Sequence, residues 1–264
     1  MEPLLARAAT PSVQSFSIGN WAHESYLTGV YKLYHLFKYC HLNFLGGVIG
    51  TLLVEPRAGI RAGSLMDLPL DRSRFTNVNP EFIPPQLRSR SIIVLLHGDK
   101  SKVGIFAPMI EAINTVHHDK LIFAFNIDVP NGVMKRNRGH VPLVVALFKK
   151  EVLAHYQEGE IPHITFIGHS SGGDFIQPLI AQLRDEGINL HFTAIKIGSL
   201  TKERKLPLFN TTPNGTYYEV AGRRDALEGR VSIFPLDRQF NVDRGHIGLL
   251  FSPSTHAYVN QLIT

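Results

Sequence analysis

The stretch Gly168-His169-Ser170-Ser171-Gly172 constrains this chain more than any other. Ahead of it, His163-Ile164-Thr165-Phe166-Ile167 is apolar and β-branched, the pattern of a buried strand. Behind it, Phe175, Ile176, Leu179, Ile180 and Leu183 recur at helical spacing. A strand, a sharp turn carrying a serine, and a helix together form a unit that presents a hydroxyl as a nucleophile. The hydroxyl is weak on its own and must be exposed to a base and to an acyl carbon. The turn that exposes it presses strand and helix together, so the residues two positions either side of the serine need to be tiny. Ser170 has Gly168 and Gly172 in those places, whereas Ser171 has His169 and Gly173. Ser170 is therefore the candidate nucleophile, and the N–H of Ser171 is a candidate oxyanion donor.

With 264 residues, the chain can bury a sizeable core as one large domain, or one domain with an appendage. Its 44% apolar and 19% charged residues are ordinary for a globular protein. The net charge of +5 favours anionic surfaces such as phospholipid. The basic residues are nevertheless dispersed, apart from Lys135-Arg136-Asn137-Arg138 and Arg223-Arg224, and no nucleic-acid motif accompanies them. Nucleic acid is not an expected partner. Cys40 is the sole cysteine, which excludes an intramolecular disulfide and points to a reducing compartment or to a protein that does not rely on crosslinks. The start Met1-Glu2-Pro3-Leu4-Leu5 lacks the pattern of a signal peptide, so the expected location is cytoplasmic, with a membrane surface as the alternative.

Two regions are expected, an N-terminal helical segment and strap over residues 1–90 and a catalytic core over 91–264. In the first, the apolar stretch 29–54 is interrupted by Lys32, His35, Lys38 and His41, which give a polar stripe on a helix. Its uninterrupted part, 44–54, is too short to span a bilayer. It is either a helix packed on the core, or a basic amphipathic segment that lies on a membrane or covers a site. Thr51 to Val54 are a candidate first strand, and 57–90, rich in Pro, Arg, Asn and Ser, is expected to be a loop, a strap or hairpin connections. From there the pattern is regular. Strands are expected over 91–96, 121–129, 163–167, 192–197, 217–220 and 238–242. Helices are expected around 106–113, over 141–156, after the Ser170 turn to about 185, and over 254–263. This alternation predicts an α/β fold with a mostly parallel central sheet flanked by helices, and with its ligand at the strand C-termini.

A serine nucleophile needs a histidine base and a carboxylate to hold the tautomer of that base. In enzymes built on this turn the acid follows the serine and the histidine comes last. Of the histidines beyond Ser170, His191 precedes its strand and His256 lies within the final helix pattern, whereas His246 follows the last strand in Asp243-Arg244-Gly245-His246-Ile247-Gly248. His246 is the candidate base. Asp225 directly follows a strand in Ala221-Gly222-Arg223-Arg224-Asp225 and is the candidate acid, with Glu228, Asp237 and Asp243 as rivals. An ion pair with the neighbouring arginines is the alternative role for Asp225. The second oxyanion donor is expected from the loop His97-Gly98-Asp99-Lys100-Ser101, as the N–H of Asp99.

With these pieces, the chain resembles the α/β-hydrolase superfamily and, within it, the lipases and esterases. The resemblance rests on Leu95-Leu96-His97-Gly98, Ile167-Gly168-His169-Ser170-Ser171-Gly172-Gly173, Ile197-Gly198-Ser199, Gly222-Arg223-Arg224-Asp225 and Gly245-His246. It covers about residues 91–264 and leaves the first ninety unmatched. It implies an acyl-enzyme mechanism on a lipid or acyl ester, without metal or cofactor, with His97 and His169 as framework positions. A thioesterase or acyltransferase of the same fold, and a receptor-like member that binds a small ligand, share the pattern. Residues 29–54 are the candidate peripheral membrane contact. Only a short loop separates the strands at 192 and 217, where many relatives insert a helical cap, so the site is expected to be open unless 29–54 covers it.

Overall fold

A computed structural model describes residues 55–66, 75–77, 91–98, 101–125, 141–156, 161–199, 213–225, 232 and 234–263, together with 25, 26, 29, 30, 32 and 33. The described strands are β1 (Phe75–Asn77), β2 (Ser91–Leu96), β3 (Leu121–Phe125), β4 (His163–His169), β5 (His191–Ile197), β6 (Gly215–Gly222) and β7 (Gln239–Val242). They form one sheet in the order β1-β3-β2-β4-β5-β6-β7. Only β1 runs antiparallel, to β3; β2 through β7 are parallel. The fold class is that expected, an α/β sheet covered by helices.

The inner strands are apolar on both faces because helices cover both. On one face lie α3 (Val141–Glu151) and α4 (Ser171–Asp185). They bury Ile92, Val94, Phe166, Phe192 and Tyr217 with Val145, Phe148, Ile176 and Leu179. Phe148 stacks on Phe166 with ring centroids 5.9 Å apart. On the other face, α1 (Pro56–Met66), α2 (Ala107–Val116) and α5 (Pro253–Leu262) enclose Ile93, Leu95, Ile167, Ile195 and Val220. Alternation along each strand therefore divides one apolar run between two cores.

Some boundaries differ from the expectation. The predicted helix over 141–156 ends at Glu151 and is followed by a 3-10 turn, Leu153–His155. Residues 57–90, expected to be a loop, a strap or hairpin connections, hold all but the first residue of α1, and also β1. Gly59 and Gly63 lower the helix propensity of α1. Tertiary contact offsets this, because Ala62 is buried and α1 packs against the segments 103–106 and 248–251. The strand expected at 51–54, residues 126–129 of the strand at 121, most of the 29–54 segment and the 200–212 loop lie outside the described residues. Among the described residues, no helix is long and apolar enough to cross a membrane.

One buried polar cluster interrupts the α3/α4 face. Lys196 of β5 stands opposite Glu219 of β6 in the register, and both are fully buried. The Lys196 ammonium lies 3.4 Å from Glu219 Oε1 and 3.7 Å from Asp174 Oδ1 in the first turn of α4. A buried carboxylate is tolerated only when a partner compensates its charge. Lys196→Met keeps much of the side-chain volume and removes the charge. Stability in urea is expected to fall by about 3–5 kcal/mol, since Glu219 is left without that cation.

Candidate active site

β4 ends at His169, and Ser170 makes the turn into α4. Its backbone sits at φ 54° and ψ −129°, a region that L-residues seldom occupy. A serine at a helix N-cap ordinarily spends its hydroxyl on the first helical amides. Ser170 makes no such cap hydrogen bond, because the positive φ directs its side chain elsewhere. Its N–H donates instead to the Ile197 carbonyl, 2.9 Å away at the end of β5.

The flanking glycines are required by close approach. A Cβ on Gly168 would stand 2.6 Å from the Gly172 carbonyl oxygen and from Gly173 N and Cα. A Cβ on Gly172 would run into the carbonyl oxygens of Leu96 and His97. Helix α4 thus meets β4 and the end of β2 backbone to backbone. Ser171 opens α4 and is buried, and helix geometry directs its N–H back toward the N-terminal end, on the side of the turn.

The loop after β2 lies against the same turn. A Cβ on Gly98 would fall 2.8 Å from Ser170 Cβ and 3.4 Å from its Oγ. Asp99, expected as the second oxyanion donor, is outside the described residues, whereas its neighbour Gly98 borders the serine.

The other two candidates meet each other. Nδ1 of His246 lies 2.8 Å from Asp225 Oδ2, and both residues are buried. Since a carboxylate only accepts, Nδ1 carries the proton and Nε2 is left as the basic nitrogen of the neutral ring. Backbone hydrogen bonds lace the two loops together, from Arg223 N to Val242 O and from Arg224 N to Arg244 O. Arg224 donates to both oxygens of Asp243, at 2.8 and 2.7 Å, which occupies one rival acid at the surface. Asp237 is exposed, and Glu228 is outside the described residues. His191 sits at the N-terminal end of β5, and His256, in α5, hydrogen-bonds the Leu250 carbonyl.

His169 links the serine turn to the histidine loop. Its ring centroid is 4.7 Å from that of His246, and its Nε2–H donates to the His246 carbonyl oxygen at 3.1 Å. Burial, and then the nearby His246, push its pKa from 6.5 down to about 3. His169 is therefore neutral across the working range of proteins. Sequence reasoning gave no role to Asp174, although it ties this region to the frame. It accepts from Ser199 Oγ at 3.0 Å, where the chain leaves β5 beside Gly173. The available signal was a charged residue at an inward position of two adjacent strands, Lys196 and Glu219.

No protein-family model matches the chain, and no curated relative does. Among solved structures, RedJ, described as a thioesterase of prodiginine biosynthesis in Streptomyces coelicolor, superposes with a TM-score of 0.50 at 12% identity. That match covers 69% of this chain and 92% of RedJ. The chain has the α/β-hydrolase fold. EstE5 with PMSF aligns at a TM-score of 0.48 and 11% identity, over 78% of this chain and 88% of the other. A lipase-esterase related protein from Clostridium acetobutylicum aligns at 0.35 and 14%, over 51% of this chain and 53% of its own length. In an α/β-hydrolase fold the ends of β4, β6 and β7 form one edge, and Ser170, Asp225 and His246 stand there.

The depressed pKa of His169 sets an acid limit on stability. The unfolded chain takes up a proton near pH 6.5 that the folded chain refuses until about pH 3, so His169 favours unfolding increasingly as pH falls through that window. Its contribution is fully restored above pH 6.5. Urea titrations of His169→Gln between pH 7 and 4 are expected to show a shallower acid loss of stability than wild type; equal slopes would assign the acid limb to other groups.

Proposed function

We propose that the protein is a serine hydrolase that cleaves carboxylic esters of lipid or acyl type through Ser170, His246 and Asp225. The observation that carries this reading is the buried His246–Asp225 hydrogen bond at 2.8 Å, on a loop held by His169, the residue next to a serine whose strained backbone keeps its hydroxyl from capping α4. Burying a carboxylate and an imidazole costs desolvation, and their mutual hydrogen bond offsets part of it while leaving Nε2 basic.

In the proposed reaction, His246 Nε2 takes the proton of Ser170 Oγ as the oxygen attacks the ester carbonyl. Asp225 holds the ring in the tautomer that makes this possible and stabilises the imidazolium. The N–H groups of Ser171 and, from the β2 loop, Asp99 stabilise the oxyanion. His246 then protonates the departing alcohol, leaving the acyl group on Ser170. A water, deprotonated by the same imidazole, attacks the acyl carbon and restores the serine. No cofactor enters any step. A thioester would use the same three groups, with a thiol as the leaving group.

Hydrolysis of p-nitrophenyl butyrate and palmitate is expected to depend on Ser170, and Ser170→Ala to lower kcat by on the order of 10³-fold or more. Asp225→Asn leaves the shape but upsets the tautomer, so kcat is expected to fall by about 10³–10⁴-fold with the KM little changed. Turnover and fluorophosphonate labelling that survive Ser170→Ala would sink the proposal. Relative rates on acyl-CoA and on the nitrophenyl esters separate thioester from oxygen-ester preference.

Residues 29–54 complete the proposal as a peripheral membrane contact, supported by their basic stripe on an apolar background. Deleting residues 1–50 is expected to weaken sedimentation with phosphatidylserine-containing vesicles. Equal sedimentation of the two chains would discard the membrane role.

A further inference from the structure

Gly248 follows His246 by two residues and opens the 3-10 helix Gly248–Phe251. Its N–H donates to Oε2 of Glu55 at 3.0 Å, across 193 positions of sequence. The carboxylate occupies the space that a side chain at 248 would need, since a Cβ there would overlap Glu55 Oε2. Glu55 is half-buried and stands directly before α1. That helix continues the contact, because the Arg61 guanidinium lies 5.1 Å from the centroid of the Phe251 ring.

The charge of the same carboxylate is felt on the loop that carries the acid. The Arg224 guanidinium, next to Asp225, has its pKa raised chiefly by its hydrogen bonds to Asp243, and the negative charge of Glu55 adds to this. One side chain from the N-terminal region thus binds the histidine loop and acts electrostatically on the acid loop. Helix α1 also packs on 103–106, the segment that continues from the β2 loop beside Ser170.

We propose that Glu55 is a positioning residue, which anchors the loop 245–248 through the Gly248 amide and so holds the His246 ring against Asp225. This rests on the serine-hydrolase reading above. Glu55 does not touch the substrate; it acts through the loop. The amide it satisfies would otherwise turn to water, and the loop would gain freedom where the imidazole needs a fixed orientation. The device also gives the N-terminal segment a direct hold on the reaction, because movement of α1 draws Glu55 with it.

The test uses Glu55→Ala, Glu55→Gln, Gly248→Ala and the double variant Glu55→Ala/Gly248→Ala in the full chain. Three quantities are read: kcat and KM on p-nitrophenyl butyrate, the melting temperature, and the downfield proton resonance of the His246–Asp225 hydrogen bond. The resonance is assigned by its loss in His246→Ala. Glu55→Ala is expected to lower kcat by about 10- to 100-fold, as small misplacements do, with KM within about twofold. The imidazole resonance is expected to shift or broaden. Glu55→Gln keeps an oxygen acceptor for the amide and is expected to bring kcat back to within about threefold. Gly248→Ala adds only the Cβ that expels Glu55, so it should reproduce Glu55→Ala, and the double variant should be no worse than Glu55→Ala alone.

Wild-type kcat and resonance in both Glu55→Ala and Gly248→Ala would overturn the positioning role. So would a fall in melting temperature and kcat that Glu55→Gln does not recover and that adds in the double variant, the signature of a merely structural contact. If turnover survives Ser170→Ala, the hydrolase reading fails separately, and the imidazole resonance still decides the role of Glu55.

Discussion

The close approach of helix α4 to strands β4 and β2 is the constraint on which the rest of this structure depends. Gly168 and Gly172 carry no Cβ, so the helix can meet the β4 backbone and the carbonyls that end β2. Ser170 is then forced to φ 54°, a strain of about 1–3 kcal/mol that the surrounding packing must hold. Everything else in the candidate site is placed relative to that turn. The β5 end accepts the Ser170 N–H, the β2 loop stands against its side chain, and the neighbouring His169 ring supports the His246 loop.

Among the described residues, the carboxylates of Asp225 and Glu219 are wholly buried, and their partners differ in kind. Glu219 faces a lysine, whose charge compensates it within the frame. Asp225 faces the His246 imidazole, whose Nδ1 lies 2.8 Å from its Oδ2. The first arrangement makes a fixed tie between β5, β6 and α4. The second joins the loops that follow β6 and β7, with Arg224 and Asp243 matched to each other outside it.

The parallel core was legible because strands buried on both faces appear as near-continuous apolar and β-branched runs, as in 92–96 and 164–167. The Ser170 turn was legible because its glycines answer a steric demand only a few residues long. Helix α1 was not, since its two glycines and two arginines conceal a segment that is helical through its contacts with 103–106 and 248–251. Glu55 left no local trace either. Its partner lies 193 positions away, and no periodicity records such a pair.

By itself, then, the sequence determined the α/β alternation and the glycine spacing that singles out Ser170 over Ser171. Each follows from side-chain pattern or backbone sterics acting over a few residues. Only the tertiary structure decided which carboxylate meets the His246 ring. Asp225, Asp237 and Asp243 all lie near strand ends, and the difference among them is whether the loop folds the side chain inward, as for Asp225, or leaves it in solvent. That choice depends on how the ends of β6 and β7 are laced together, a spatial relation between loops that the order of residues does not contain.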